Sequence, residues 1–401
     1  MSIIHDALKK LEREKLKGPP QEGWTPDLSL HLPAPAATSS PPSTSRSEGR
    51  REGQSWRLPV SPFRKNLLGI DIGSSSIKVV KLKQRGGACT LTGVGSEKLP
   101  PEASGPLVSE ALRTLLKVQG IGSGRVASAI DGKSLTFRDI RLPKMPEGDL
   151  REAVRWEIKK GIDFSEDAVI DYVVNDELIE GGKTTLSILA FAVKKEEVSG
   201  HAGILKEASL IPDAIDVGPM ALLSAFDYNY SEEKEKRYAI LDIGASKTTL
   251  AIIFKSTLRF TRYIPLGGND ITTAFQNAEG GDFQAAEEEK VRYAPVLDEA
   301  PEAVQSSIKS FIEGLSQELR NSLRYYQAQL REGAVDGILV SGGCSRIKGI
   351  AGYLENALGI PTALYDTMRG VKINVSGSAD IHSLSPLLAI AFGLALRKEG
   401  E

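Results

Sequence analysis

A chain of 401 residues exceeds what one small core organises and favours two or three domains. Its 41% hydrophobic and 25% charged residues match a folding globular chain and exclude collagen-like and coiled-coil classes. The net charge of −2 supplies no overall field for nucleic acid, and Cys89 and Cys344 lack the spacing of a zinc site or a disulfide framework.

In chain order, residues 1–18 read as an amphipathic helix: Ile3, Ile4, Ala7, Leu8 and Leu11 recur at helical spacing among Lys9, Lys10, Arg13, Lys15 and Lys17. Such a stripe docks on a partner groove or a membrane surface, or frays as a tail. The segment lacks the apolar run and cleavage site of a secretory signal, so the cytoplasm is the expected location. Residues 19–65 are rich in Pro and Ser, with nine of the 21 prolines, and read as a disordered linker. The composition changes at Asn66, where apolar runs bounded by glycines open a body that continues to Arg397. No run in it approaches the roughly 20 apolar residues of a membrane span.

Within the body, 68–82 (LGIDIGSSSIKVVKL) predicts two strands joined by a tight turn, and 238–254 (YAILDIGASKTTLAIIF) repeats the plan. Duplicated α/β halves follow from this. Helical spacing predicts helices over 107–119, 148–160, 284–292 and 304–330, and strand patterns over 126–130, 135–140, 169–175 and 184–193 point to a small inserted α+β subdomain within about 96–195.

Glycine lets backbone N–H groups approach phosphate oxygens closely. Gly73, Ser74, Ser75 and Ser76 in the first turn, and Gly244, Ala245, Ser246, Lys247 and Thr248 in the second, have that composition. Each turn also carries a lysine, Lys78 or Lys247; strand alternation turns Lys78 away and favours Lys247 as the phosphate ligand. Asp71 and Asp242, at strand ends, are candidates to hold the waters of Mg²⁺ beside a triphosphate. A lone Asp-x-Gly is an ordinary turn; two copies on one plan argue for a shared ligand. A third turn, Ser341, Gly342 and Gly343, precedes a helix predicted from near Ser345, and suits a ribose or base-proximal phosphate or an ordinary strand–helix connection. Gly267 and Gly268 form a fourth turn.

The order of these motifs resembles the actin-like ATPase superfamily, a duplicated ribonuclease H-like α/β fold, and the residues resemble the PilM family of type IV pilus assembly proteins. NLLGIDIGSSSIKVV and YAILDIGASKTTLAII look like the two phosphate loops, LGGNDIT like the connecting turn and ILVSGGCSRIKGIAGYLENALGIP like the adenosine motif. Ala-Glu-x-x-Lys at 286–290 is similar to a family helix, implying that Glu287 and Lys290 lie near ribose and base, though a solvated helix face reads equally well. Leu142-Pro-Lys-Met-Pro146, Leu150, Trp156-Glu157 and Asp171-Tyr172 resemble the family's inserted subdomain.

The resemblance implies ATP and Mg²⁺ as cofactors, slow turnover at most, and a groove beside the insert for the cytoplasmic N-terminal peptide of an inner-membrane PilN-like partner, with Trp156 in the groove or in the core. It implies contact with other pilus or secretion platform proteins and a peripheral place at the inner membrane through partners, and leaves homo-oligomers open. Asp216 stands where the family crosses between halves, as the candidate to orient an attacking water or as a capping residue. The first ten residues resemble the cytoplasmic segment of GspB-like secretion proteins. An FtsA-like filament protein and a sugar-kinase-type enzyme are the alternatives.

Overall fold

Asn66–Ile72 (β1) and Ser76–Arg85 (β2) form the first hairpin of the computed structural model, which describes residues 66–397 apart from 86, 123, 164–166, 181, 331 and 376–380. The docking helix and linker expected at 1–18 and 19–65 lie outside the described residues. β2 pairs antiparallel with Ala88–Lys98 (β3), and Gly105–Val118 (α1) returns the chain to Arg125–Ile130 (β4), parallel to β1. Leu112 and Leu115 of α1 pack on Leu68, Ile77 and Val79, closing one face of this sheet. This burial explains the near-continuous apolar run of β1.

The chain then builds a separate sheet from Thr136–Pro143 (β5), Ala168–Glu180 (β6) and Lys183–Lys194 (β7), in the order β5-β7-β6. Glu147–Lys159 (α2) covers it by burying Leu150, Val154 and Ile158 against Ile140, Ile188 and Ala190. The insert expected from residue 96 is therefore narrower: β4 hydrogen-bonds to β1, so the residues before 131 belong to the larger sheet. Lys195–Glu207 (α3) leads back to Pro212–Val217 (β8), parallel to β4.

Gly218–Asn229 (α4) crosses to the second half: Tyr238–Ile243 (β9), Thr248–Phe254 (β10), Thr257–Ile264 (β11), Gly268–Glu279 (α5), Phe283–Tyr293 (α6), Glu302–Gln329 (α7), Gly337–Ser341 (β12), Ile350–Leu358 (α8) and Thr362–Leu364 (β13). The sheet orders are β11-β10-β9-β12-β13 and, with Lys372–Ile373 (β14) added at one edge, β14-β3-β2-β1-β4-β8. Apart from β14, the two orders are the same five-strand plan used twice, which is the duplication expected from the motifs. A short α9 (Ile381–Leu384) precedes Ala389–Ala395 (α10), which lies against β1. Gly69 permits that approach, because a Cβ there would collide with the Ala391 carbonyl; Gly393 does the same against Ala221. Leu222 and Phe226 of α4 join Val80 and Leu91 of the first sheet to Ile240 and Ile253 of the second in one apolar cluster.

Candidate functional site

Both hairpin turns close in the same way. The Gly73 N–H donates to the Ser76 carbonyl at 3.0 Å, and the Gly244 N–H to the Lys247 carbonyl at 3.0 Å. The turns face one another, the Ser74 hydroxyl lying 3.1 Å from Ser246 Oγ, beside a cavity of about 380 Å³. Asp71, Lys78 and Asp131 from the first half and Asp242 and Lys247 from the second line its charged part; Phe283, Val291, Ala294 and Ile347 line an apolar part. Charged and apolar walls in one cavity suit a ligand with an anionic end and a flat apolar end.

The carboxylates are held by short-range partners. Lys78 Nζ donates to Asp71 Oδ2 at 3.1 Å, and the Ser341 hydroxyl to Asp242 Oδ1 at 2.9 Å. Burial pushes Asp242 up to about 6, the neighbouring Asp71 charge adding to it and Lys78 and Ser341 partly offsetting it. Burial also raises Asp131, against the pull of Lys247. For Lys78 burial acts to lower the pKa, but Asp71, Asp242 and Asp131 more than offset it, so the net shift is upward and the ammonium is retained. Among the described residues no group of three or more His, Cys, Asp or Glu side chains is close enough to hold a bare metal ion.

The structure brings most of the predicted residues together. Asp71, Gly73, Ser74, Ser75, Ser76, Lys78, Asp242, Gly244, Ala245, Ser246, Lys247, Gly268, Glu287, Lys290, Gly342 and Gly343 line the cavity. Thr248 and Gly267 support it from behind. The Thr248 hydroxyl donates to the Leu266 carbonyl at 2.7 Å, and a Cβ at Gly267 would collide with the second turn at Ala245 and Lys247. That close seat lets the Gly268 and Asn269 N–H groups donate to the carbonyls of Gly244 (2.9 Å) and Ala245 (2.7 Å), fixing the second turn on the start of α5. Lys290 is buried, donating to the Gly268 carbonyl (3.0 Å), Thr272 (2.9 Å) and Glu287 (2.5 Å), so the pair on α6 braces the fourth turn rather than forming a solvated face.

Three expectations are corrected, at Lys78, Asp216 and Ser345. Lys78 points into the cavity, because it sits directly across the hairpin from Asp71 and opposed residues share a face. Lys247 reaches across the cavity to Asp131, with its ammonium 3.5 Å from the ring centroid of Tyr263. Asp216 does not line the cavity: it stands in Asp71's row beyond Ala129, is buried, pairs with Arg397 and accepts the Val217 N–H at 2.8 Å. Ser345 opens no α-helix; its hydroxyl closes on the Gly342 carbonyl at 2.7 Å within a single 3-10 turn, and α8 starts only after Gly349, whose φ is 78°. Of the two places left open for Trp156 the core is excluded, since it is 63% exposed on α2 beneath the Lys160 ammonium.

Sequence reasoning missed Asp131, Thr249 and Tyr263, all on the cavity wall. Asp131 carried a usable signal: Ala129-Ile130-Asp131-Gly132 ends a strand on Asp before Gly, as the two hairpin turns nearly do. Both cysteines are free and buried, and burial pushes the Cys344 thiol to about 11. No helix among the described residues is long and apolar enough to cross a membrane.

The family model described as Type IV pilus assembly protein PilM matches residues 69–399. A solved PilM-PilN type IV pilus biogenesis complex contains a chain 28% identical, with a TM-score of 0.75, covering 84% of this chain and 100% of that one. The ethanolamine utilization protein EutJ from Carboxydothermus hydrogenoformans shares the fold at 16% identity and a TM-score of 0.51, over 84% of this chain and 91% of that one. The cell division protein FtsA of Pseudomonas aeruginosa is 28% identical over 197 residues, 44% of this chain and 45% of that protein, so this chain spans less than half of that relative's length. FtsA of Streptococcus pneumoniae is 23% identical over 74% of each chain. The chain belongs to the PilM family and has the actin-like ATPase fold.

Proposed function

We propose that this PilM-family chain is an ATP- and Mg²⁺-binding switch in the assembly of a type IV pilus or a related secretion machine, reading the cytoplasmic N-terminal peptide of a PilN-like inner-membrane partner. The observation that carries the nucleotide part is the meeting of two like hairpin turns at one cavity, with Asp71–Lys78 and Asp242–Ser341 as paired side chains beside them. Bound MgATP would bring a polarised γ-phosphoryl group. The chain's own residues would bind and orient it: the turn backbones at 73–76 and 244–247 and the Lys78 and Lys247 ammonium groups on phosphate, Asp71 and Asp242 on metal-bound water, and the apolar wall near Glu287, Lys290 and Gly343 on the nucleoside. Slow turnover fits this reading, because Asp216, the expected water-orienting residue, is engaged by Arg397. The peptide part is supported by the exposed Trp156 on the insert and by likeness to a chain solved as a PilM-PilN complex. Such a partner would hold the chain at the inner membrane. Residues 1–18, on the 19–65 tether, are a second docking peptide in this reading.

Calorimetry with MgATP tests the site: Asp71→Ala and Asp242→Ala each weaken binding by roughly tenfold or more and reduce its Mg²⁺ dependence. Unchanged affinity and metal dependence in both variants would sink the assignment. Co-sedimentation with ATP and pull-down on inner-membrane peptides separate the switch from an FtsA-like filament, and phosphorylation of an added sugar would replace it with an enzyme. Deletion of 1–18 that leaves localisation and every partner interaction unchanged removes the second docking peptide.

A further inference from the structure

Lys247 occupies the position in the second turn that Ser76 holds in the first, counting from each aspartate. Its ammonium is shared between the two halves of the molecule. It pairs with Asp131, which follows β4 of the first half, and lies over Tyr263 on β11 of the second. Tyr263 in turn meets Phe137 of the inserted sheet edge-on, ring centroids 5.4 Å apart, and Phe137 is 6.3 Å from Phe191 on β7. Phe137 and Tyr263 both pack against an apolar cluster of Ile130, Leu135, Phe191 and Val217, which joins the base of the insert to the first half. Asp131 also begins the short connection from β4 into β5, so its position is tied to where the inserted sheet starts.

One carboxylate and one ring face are weaker partners for an ammonium than a doubly charged terminal phosphate with three acceptor oxygens. Lys247 therefore has two alternative sets of partners in one cavity, and a ligand that binds one set better shifts the balance between them. When the ammonium moves to phosphate, Asp131 is left beside Asp71 without the Lys247 cation, and Tyr263 loses the cation over its ring.

We infer that Lys247 is the specificity-determining residue that separates a nucleoside triphosphate from a diphosphate, and that the exchange of Asp131 and Tyr263 for phosphate transmits that difference through Phe137 to the inserted sheet. This rests on the nucleotide-binding reading above and adds the discriminating residue and its route.

The full chain is titrated with a non-hydrolysable ATP analogue and with ADP, and amide hydrogen exchange is followed over 136–143. In the wild type the analogue binds roughly tenfold or more tighter than ADP and speeds exchange in β5, while ADP leaves it unchanged. Lys247→Ala brings the two affinities within about twofold by weakening the analogue alone. Asp131→Asn, which removes the competitor, tightens the analogue several-fold, a gain that a misfolded variant cannot mimic, and the gain vanishes when Lys247→Ala is added. Tyr263→Leu keeps the preference for triphosphate but makes β5 exchange insensitive to nucleotide. Equal wild-type affinities, a preference that survives Lys247→Ala, or an Asp131→Asn gain that survives in the double variant overturns the discrimination. A β5 response that survives Tyr263→Leu overturns the route. Failure of the wild type to bind either nucleotide overturns the nucleotide-binding reading together with this one.

Discussion

The two hairpins follow one backbone path and restrain their aspartates by different means. In the first half the residue beside Asp71 on β4 is Ala129, which has no hydroxyl, and the carboxylate is held across the hairpin by Lys78. In the second half the β12 residue beside Asp242 is Ser341, which donates to it, and Thr249 stands across the hairpin where the first half has lysine. One carboxylate thus takes its hydrogen bond from a charged group and the other from a neutral donor; burial lifts Asp242 to about 6 although Lys78 and Ser341 both act to lower it. The asymmetry extends inward. Beside Ile70 the first half places Ser128, bonded to the Ile70 carbonyl (2.8 Å) and to His201 Nε2 (2.9 Å); beside Leu241 the second places Val340. Duplication preserved the chain's route, and each half acquired its own side-chain partners.

Four substitutions break or sharpen that contrast. The largest effect is expected at Gly69, which matches Ile240 in the second half. Gly69→Ala drives a Cβ into the Ala391 carbonyl and lowers stability by about 3 kcal/mol in denaturant unfolding; an unchanged midpoint would show that α10 does not depend on the close approach. Next comes acid stability. Burial lowers His201 to about 4, Asp71 partly offsetting it, while an unfolded histidine titrates near 6.5. Stability is fully present above pH 6.5 and falls by up to about 3 kcal/mol as pH drops to 4, because the unfolded chain binds the proton first. His201→Gln should flatten that part of the pH profile, and an unaltered slope would place the acid sensitivity elsewhere. Third, Lys78→Thr gives the first hairpin the second one's residue and weakens MgATP by roughly 30-fold, about 2 kcal/mol, by calorimetry. A loss as small as that of a distant surface lysine would mean that the two hairpins are interchangeable. Smallest is Ser341→Ala, which copies Ala129 and costs about 1 kcal/mol in thermal unfolding. A neutral outcome would remove the hydroxyl as Asp242's restraint.

Much of this plan was legible because glycine turns and apolar runs are local signals. Both hairpins and the long α7 follow from spacing alone. What escaped depends on register and on distant partners. Lys78 looked averted when alternation was counted from the turn, yet facing is set by the residue opposite, and that residue is Asp71. Asp131 follows β4 on the cavity wall, whereas Asp216 lies inside β8 level with Ala129 and is buried against Arg397; register, not the local sequence, separates them. α4 was hidden for a different reason, since Ala221, Leu222, Leu223, Ala225 and Phe226 are all buried and a helix apolar on every side has no 3.6-residue contrast. β11 was masked by Arg259 and Arg262, whose charges are answered by Glu332 and Glu318.

The seating of α10 on β1 also orders the making of the protein. The strand that begins the body is sealed by the last helix described, residue 391 against residue 69, so the first half has no finished surface while the second is still being synthesised. Its Leu68 and Ile70 side can be covered early by α1, but the opposite side waits for α10, far later in the chain at Ala389–Ala395. A fold closed by such a long-range contact matures late and as one unit, and during translation the exposed face of β1 is the surface for a chaperone to shield.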